Sequence, residues 1–338
     1  YMRYTAKCAS FEWQRILDMQ IQMLSKPNFN EDIISSEKKN VRSELEGHLN
    51  DPRWVIDGRG EVAMGNKDMG LEEQIRTINN VSLDDVIAFH KLTHTIRNMR
   101  YVIAGDVAGV IKKIDKIIDS VDLSGGDSLP VETIKLHCAS PVLVRRDKTP
   151  NITFYMPIVL HKCLSIKEEY TLAVLCDLLT GSLNSLLYGP VRRQGLAYDI
   201  RATYAIERFN SYFMVRTAAP KDNLVKIACI VSDVMQEIRV NGVSEDILER
   251  SKSRLSGRLM MGFETAQSLA YYLENRYLVG DTVINIDELP SIVKSVTVSD
   301  VCNLVVDLVK QNTWTFGLFG NVDGNYTGSI ASVIKEIF

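Results

Sequence analysis

Two acids seven residues apart, Glu37 and Glu44, carry the strongest chemical signal in the chain. They lie in Ile33-Ile34-Ser-Ser-Glu37-Lys-Lys-Asn-Val41-Arg-Ser-Glu44-Leu45, a spacing that predicts one amphipathic helix. With Ile34 at zero and 100° per residue, Val41 falls at about 340°, Leu45 at about 20°, Glu37 at about 300° and Glu44 at about 280°. Seven residues is nearly two turns, so the carboxylates stack on one face, inside the apolar stripe. A carboxylate facing a core is costly unless a metal, a proton or a cation compensates it. The expectation is a buried pair serving chemistry; the bland alternative is a pair snorkelling at the margin of the stripe.

The other chemistry-bearing residues are weaker. His90-Lys-Leu-Thr-His94 has the i,i+4 spacing of a helical ligand pair but no glutamate inside it, and reads as packing or surface. His48 lies one turn beyond Glu44; a structural role and a place near a metal are both open. His137 and His161 sit in or beside strand-like segments and read as structural. Gly65-Asn-Lys-Asp-Met-Gly70 lacks the Lys-Ser/Thr of a phosphate cradle and is a loop. Met19, Met23 and Leu24 keep helical spacing with Trp13, Ile16 and Leu17, the pattern of core packing. The six cysteines are scattered without a C-x-x-C pair, several in apolar runs, as for small buried thiols in a reducing compartment.

The elements that must position these residues come from a duplicated unit. Val81-Ser-Leu-Asp-Asp85-Val86 recurs as Val296-Thr-Val-Ser-Asp300-Val301, and Ala104-Gly105-Asp106-Val107 recurs as Phe319-Gly320-Asn321-Val322, both at an offset of 215. Glu31-Asp32-Ile33 recurs as Glu245-Asp246-Ile247 at 214, and Met2-Arg-Tyr-Thr5-Ala6 parallels Met214-Val-Arg-Thr217-Ala218 at 212. Each copy ends in a helix of about a dozen residues followed by an apolar strand, Tyr101–Val107 in the first. The turn-rich stretch 123–130 is the expected linker, dividing a first domain at 1–122 from a second at 131–338. The second copy has roughly 80 residues before Met214 that the first lacks before Tyr1, so the first domain is expected to be truncated at its N-terminus. At the two acid positions the second copy has Ser251 and Arg258, while Ile247, Leu248, Leu255 and Leu259 keep the stripe. Packing is retained without the acids, which points to a chemical role for Glu37 and Glu44.

Composition limits the partners. A net charge of -3 with 46% hydrophobic and 24% charged residues gives no polybasic signature, hence no reason to expect nucleic acid. No run of about 18 apolar residues exists, so no membrane span is expected. No targeting segment is visible.

The chain resembles the insulinase/pitrilysin family of zinc peptidases, which includes mitochondrial processing peptidase and its bacterial relatives. Glu37-Lys-Lys-Asn-Val-Arg-Ser-Glu44, with Glu46-Gly-His-Leu-Asn-Asp51-Pro52 after it, matches the family's second metal element. Asn98–Val107 matches its end-of-domain strand, and Ser182–Tyr188 with Arg192-Arg-Gln-Gly195-Leu196-Ala197-Tyr198 its hallmark in the second domain. The resemblance implies an α+β fold of two homologous domains, each a mostly antiparallel sheet packed with helices. It implies Glu44 as third zinc ligand, Glu37 as the carboxylate assisting it, and Tyr198 with Arg192 as groups binding substrate carbonyls or the oxyanion. The family's H-x-x-E-H is absent from this sequence; by family spacing it lies about 30 residues before Tyr1. Zinc is therefore expected in the intact protein and not on this chain alone, since catalytic zinc needs three protein ligands. The usual Arg-to-Tyr spacing is seven; Arg192 stands six and Arg193 five before Tyr198, which leaves the choice of arginine open. The implied function is an endopeptidase cleaving peptides or unfolded segments, cytoplasmic or in the mitochondrial matrix, dimeric with itself or a related subunit. The alternative is a non-catalytic homologous subunit or scaffold of a peptidase or respiratory-complex assembly.

Overall fold

A computed structural model describes residues 1–280 and 283–338, with the Val279 side chain excepted. Its contacts divide into two compact units. One comprises residues 1–46, 72–132 and 263–275; the other comprises 47–71, 133–262 and 276–338.

The second unit holds a five-stranded sheet. Strands β1 (Val142–Arg145), β2 (Ile152–Leu160), β3 (Ile200–Ile206), β4 (Ser211–Ala219) and β5 (Gly317–Gly320) lie in the order β1-β5-β2-β4-β3. All pairings are antiparallel except β1 with β5. β2 is buried along nearly its whole length because both faces of the sheet are covered. On one face lies α7 (Ile166–Thr180), with Leu172, Leu175 and Leu179 fully enclosed. On the other, Val55 and Ile56 of α3 (Pro52–Ala63) close a core with Val144, Tyr155 and Phe319. Gly317 permits that approach, since a Cβ there would stand 3.0 Å from the Ile56 Cβ. The remaining helices of this unit are α8 (Tyr188–Arg193), α9 (Lys221–Asn241), α10 (Glu245–Gly262), α12 (Leu289–Lys294), α13 (Val298–Gln311) and α14 (Gly324–Lys335).

The first unit is built from α1 (Trp13–Ser25), most of α2 (Glu31–His48), α4 (Leu71–Thr77), α5 (Leu83–Thr93), α6 (Ile111–Asp119) and the start of α11 (Ala266–Val279). The α+β class holds for the chain as a whole, but all five strands among the described residues belong to the other unit. The strand expected at Tyr101–Val107 is irregular, and so is the segment Met2–Ala6. An extended segment becomes a strand only when a neighbour completes its ladder, and neither finds one among the described residues.

The duplication extends to hydrogen bonds. Six helices, α1 to α6, recur in order as α9 to α14. Asn30 Oδ1 accepts from Ile33 N at the start of α2, as Ser244 Oγ does from Ile247 N before α10. Ser82 and Asp85 form a reciprocal capping box on α5, with Asp85 taking the Ser82 N–H at 2.8 Å; Thr297 and Asp300 do the same on α13 at the same distance. Gly105 (φ 146°) and Gly320 (φ 150°) share a left-handed backbone, and each accepts a 3.0 Å bond from the valine two residues on. The units are not the two halves of the sequence, however. Segment 47–71, carrying α3, joins the second unit, and 263–275, carrying the start of the corresponding helix α11, joins the first. In each unit an arginine holds an acid of the visiting helix at 2.6 Å: Arg216 with Asp57, and Arg3 with Glu274.

Candidate functional site

Glu37 and Glu44 do stack on one helix, but their surroundings differ from the expectation. No residue of α2 is buried, and both acids are exposed; the Glu37 carboxylate accepts from Asn40 Nδ2 at 3.3 Å. The stripe itself is open, with Ile33 and Val41 on the surface. The buried acid pair is thus corrected to a solvated one, because the stripe meets no sheet in its own unit. Among the described residues, no three His, Cys, Asp or Glu side chains gather where they could hold a metal ion. Zinc needs three protein ligands, so the residues present do not fit one.

The second repeat shows where these two positions aim when the stripe is covered. Leu248, Ser251 and Leu255 of α10 are buried, as counterparts of Ile34, Glu37 and Val41. The Ser251 hydroxyl donates to Asp177 Oδ2 at 2.9 Å, and the Arg258 guanidinium, at the Glu44 position, donates to Asp177 Oδ1. Arg254 joins through its Nε at 3.2 Å and its Nη2. Asp177 is fully enclosed on α7, so three α10 side chains converge on one buried carboxylate. A buried charge survives only when paired and hydrogen-bonded, and this one has two cations. Sequence reading missed Asp177; the available signal was an acid inside the apolar run Val174-Leu-Cys176-Asp177-Leu-Leu179.

Arg192 and Tyr198 are brought together by a helix stop. α8 ends at Arg193, and Gly195 at φ 65° lets the chain reverse. The Gly195 N–H then bonds Arg192 O at 3.1 Å and the Leu196 N–H bonds Val191 O at 3.0 Å. That is a Schellman closure, sealed by apolar Leu196 against the buried Val191 side. Tyr198 emerges 78% exposed, with the Arg192 guanidinium carbon 4.4 Å from its ring centroid. Arg193 turns to the Leu183 carbonyl instead, so Arg192 is the arginine beside Tyr198. The arrangement offers an exposed phenol and a cation to a polar ligand.

Four of the histidines hydrogen-bond or stack within the protein. His90 Nε2 meets the Leu24 carbonyl at 2.9 Å, and His94 stacks on His90 while bonding the Tyr4 hydroxyl at 2.9 Å. His161 bridges Asn210 and Thr313, and His48 stacks on Trp54. All six cysteines are free thiols, and only Cys176 is buried, so the expectation of buried thiols holds for that one. No helix among the described residues is long and apolar enough to cross a membrane.

Comparison with known proteins is consistent in sequence and fold. The peptidase M16 inactive domain matches residues 80–255, just over half of the chain. The uncharacterized zinc protease YmxG of Bacillus subtilis (strain 168) is 23% identical over 306 residues, spanning 84% of this chain and 71% of the relative. A protease from Helicobacter pylori superposes with a TM-score of 0.75 at 15% identity, covering 92% of this chain and 77% of that one. A chain of complex III2 from Candida albicans gives 0.73 at 11% identity, covering 93% and 78%.

Proposed function

The chain belongs to the peptidase M16 family, matching its inactive domain, and from that premise we propose that it is part of a zinc-dependent endopeptidase. Its substrates are peptides or unfolded segments, and the histidine ligands of the metal come from outside these 338 residues. Glu44 supplies one carboxylate to the metal, and Glu37, one face along the same helix, orients that ligand or its water. Tyr198 and Arg192 hold substrate carbonyls from the second repeat, where the motif presents an exposed phenol beside a guanidinium. Six free thiols favour a reducing compartment, the cytoplasm, and a dimer with itself or a related subunit is the proposed assembly.

The observation that carries the reading is the convergence on Asp177. Ser251 and Arg258, counterparts of Glu37 and Glu44, meet one group on a facing helix 81 residues before Arg258. The family's H-x-x-E-H precedes its glutamate by about 75 residues, a comparable distance. The first repeat carries acids at the two positions whose counterparts share a centre.

A second reading has its own support. Both acids are solvated, no set of metal ligands gathers among the described residues, and a chain of complex III2 shares the fold. That favours a non-catalytic subunit or scaffold. Zinc content decides between them. Residues 1–338 alone are expected to hold no stoichiometric zinc. The full gene product is expected to hold about one zinc per chain, lost in Glu44→Gln. No zinc in the full product would establish the scaffold.

A further inference from the structure

The Asp177 cluster leaves one positive charge over, and that charge borders a cavity. Two guanidiniums, Arg254 and Arg258, share a single carboxylate. Asp177 is fully enclosed, whereas the Arg258 side chain is 54% exposed. Its fork has five N–H donors, and among the described residues only Asp177 takes one. The cavity it lines has a volume of about 340 Å³, between α7, β3 and α10, all within the second unit.

Other donors line the same cavity. Arg201, on β3, binds Asp199 through Nε, and its two terminal nitrogens have no partner among the described residues. Tyr204, three residues on, also lines the cavity, and its hydroxyl has no partner among the described residues. The acceptors at this wall are already used: Thr180 Oγ1 receives the Ala202 N–H, and the Asp177 oxygens receive Ser251, Arg254 and Arg258. Counting Asp177 against Arg201 and Arg258, the charged residues that line the cavity carry a net charge of +1. A cavity with spare donors and a spare cation calls for an anion with paired acceptors. Its volume lies at the small end of ligand sites, the scale of one side chain rather than a nucleotide.

We propose that this cavity is a subsite for a peptide carboxylate, an acidic side chain or a chain terminus, held by the free fork of Arg258 with Arg201 and Tyr204. The choice of a peptide rests on the peptidase reading above. The site itself needs no metal, so its test is independent of zinc.

The test is calorimetric titration of the protein, in EDTA, with three acetylated peptides. One is Gly-Ala-Glu-Ala-Gly amide, the second its Gln counterpart, and the third that Gln peptide with a free C-terminus. Binding of the first or third at least about tenfold tighter than the second is expected, and which of them binds identifies side chain or terminus. Arg201→Gln, on an exposed strand edge, and Tyr204→Phe are expected to weaken it, and Arg258→Gln to weaken it about tenfold with an unchanged circular dichroism spectrum. Raising salt from 50 to 500 mM is expected to loosen binding several-fold. Equal binding of all three peptides, no binding of any, or binding of inorganic phosphate alone would overturn the proposal. So would wild-type affinity in both Arg201→Gln and Tyr204→Phe. Failure of the zinc test with peptide binding intact would remove the peptidase reading and leave the subsite.

Discussion

The two repeats contain the same six helices, yet only one set is enclosed. Phe89 of α5 is 56% exposed, while Leu304, its counterpart on α13, is 4% exposed. Val41 of α2 lies on the surface and Leu255 of α10 is buried. The caps of α2 and α5, by contrast, match those of α10 and α13, Asn30 with Ser244 and Ser82 with Thr297. The comparison separates two kinds of information. Caps and turns are settled by residues three or four apart, so both copies obey them. Burial depends on the strands and helix α7 that cover α10 and α13, and those belong to one unit only. A helix can therefore be inherited intact while the environment of every side chain on it changes.

The sharpest test of that difference is at the acid positions. Asp177→Ala leaves Arg254 and Ser251 without their acceptor in a covered site and is expected to destabilise by about 3–5 kcal/mol. Glu44→Ala, on the exposed helix, is expected to cost within about 0.5 kcal/mol. Urea unfolding of both variants checks this, and a large loss for Glu44→Ala would break the contrast. Next, Leu304→Ala is expected to cost about 2–4 kcal/mol and Phe89→Ala under about 1. Circular dichroism at 222 nm against denaturant reads both.

Glycine gives a third comparison. Gly105→Ala and Gly320→Ala share the cost of a left-handed backbone, about 1 kcal/mol. A Cβ on Gly320 would also meet Ile152 Cγ1 at 3.0 Å and its Cα at 3.2 Å, whereas one on Gly105 meets nothing within 4 Å. Gly320→Ala is thus expected to cost about 2–3 kcal/mol, roughly 1–2 more than Gly105→Ala. Equal melting temperatures would show that the second repeat yields at this turn.

The smallest effect is a pH dependence under α3. Burial, opposed by Arg216, pushes the Asp57 carboxyl up to about 6, and burial raises Glu61 and Glu207 as well. A raised acid binds its proton more tightly folded than unfolded. Stability is therefore lost as pH rises from about 4 to about 6. Melting curves of the wild type and Asp57→Asn are expected to diverge across that window by about 1 kcal/mol, Arg216 and partial exposure having moderated the effect. Parallel curves would remove Asp57 as the source.

What the sequence made legible follows the same division. The duplication, the helix starts and the strand at 317–320 were readable because their signals are local or repeated. The segments at 2–6 and 101–107 carry strand composition but no ladder, since pairing is decided by distant residues. The apolar stripe of α2 gave the correct angular placement of Glu37 and Glu44 and the wrong solvent exposure, because periodicity reports which residues share a face and not what covers it. Spacing could not choose between Arg192 and Arg193; the Schellman closure at Gly195 does. Asp177 needed the counterpart logic of Ser251 and Arg258, which only the folded pair of helices α7 and α10 makes visible.

The exchange of α3 and α11 also sets an order of events during synthesis. The cover helix of the sheet leaves the ribosome well before the first strand at Val142. The first unit faces the reverse problem: after residue 132 it must wait for 263–275 to be made. At about 5–20 residues per second, that interval is roughly 7–30 s. Through it, Arg3 has no Glu274 to meet, and the nascent first unit stands incomplete. Each unit borrows a segment from the other repeat, so the first unit is complete only once residue 275 has been made.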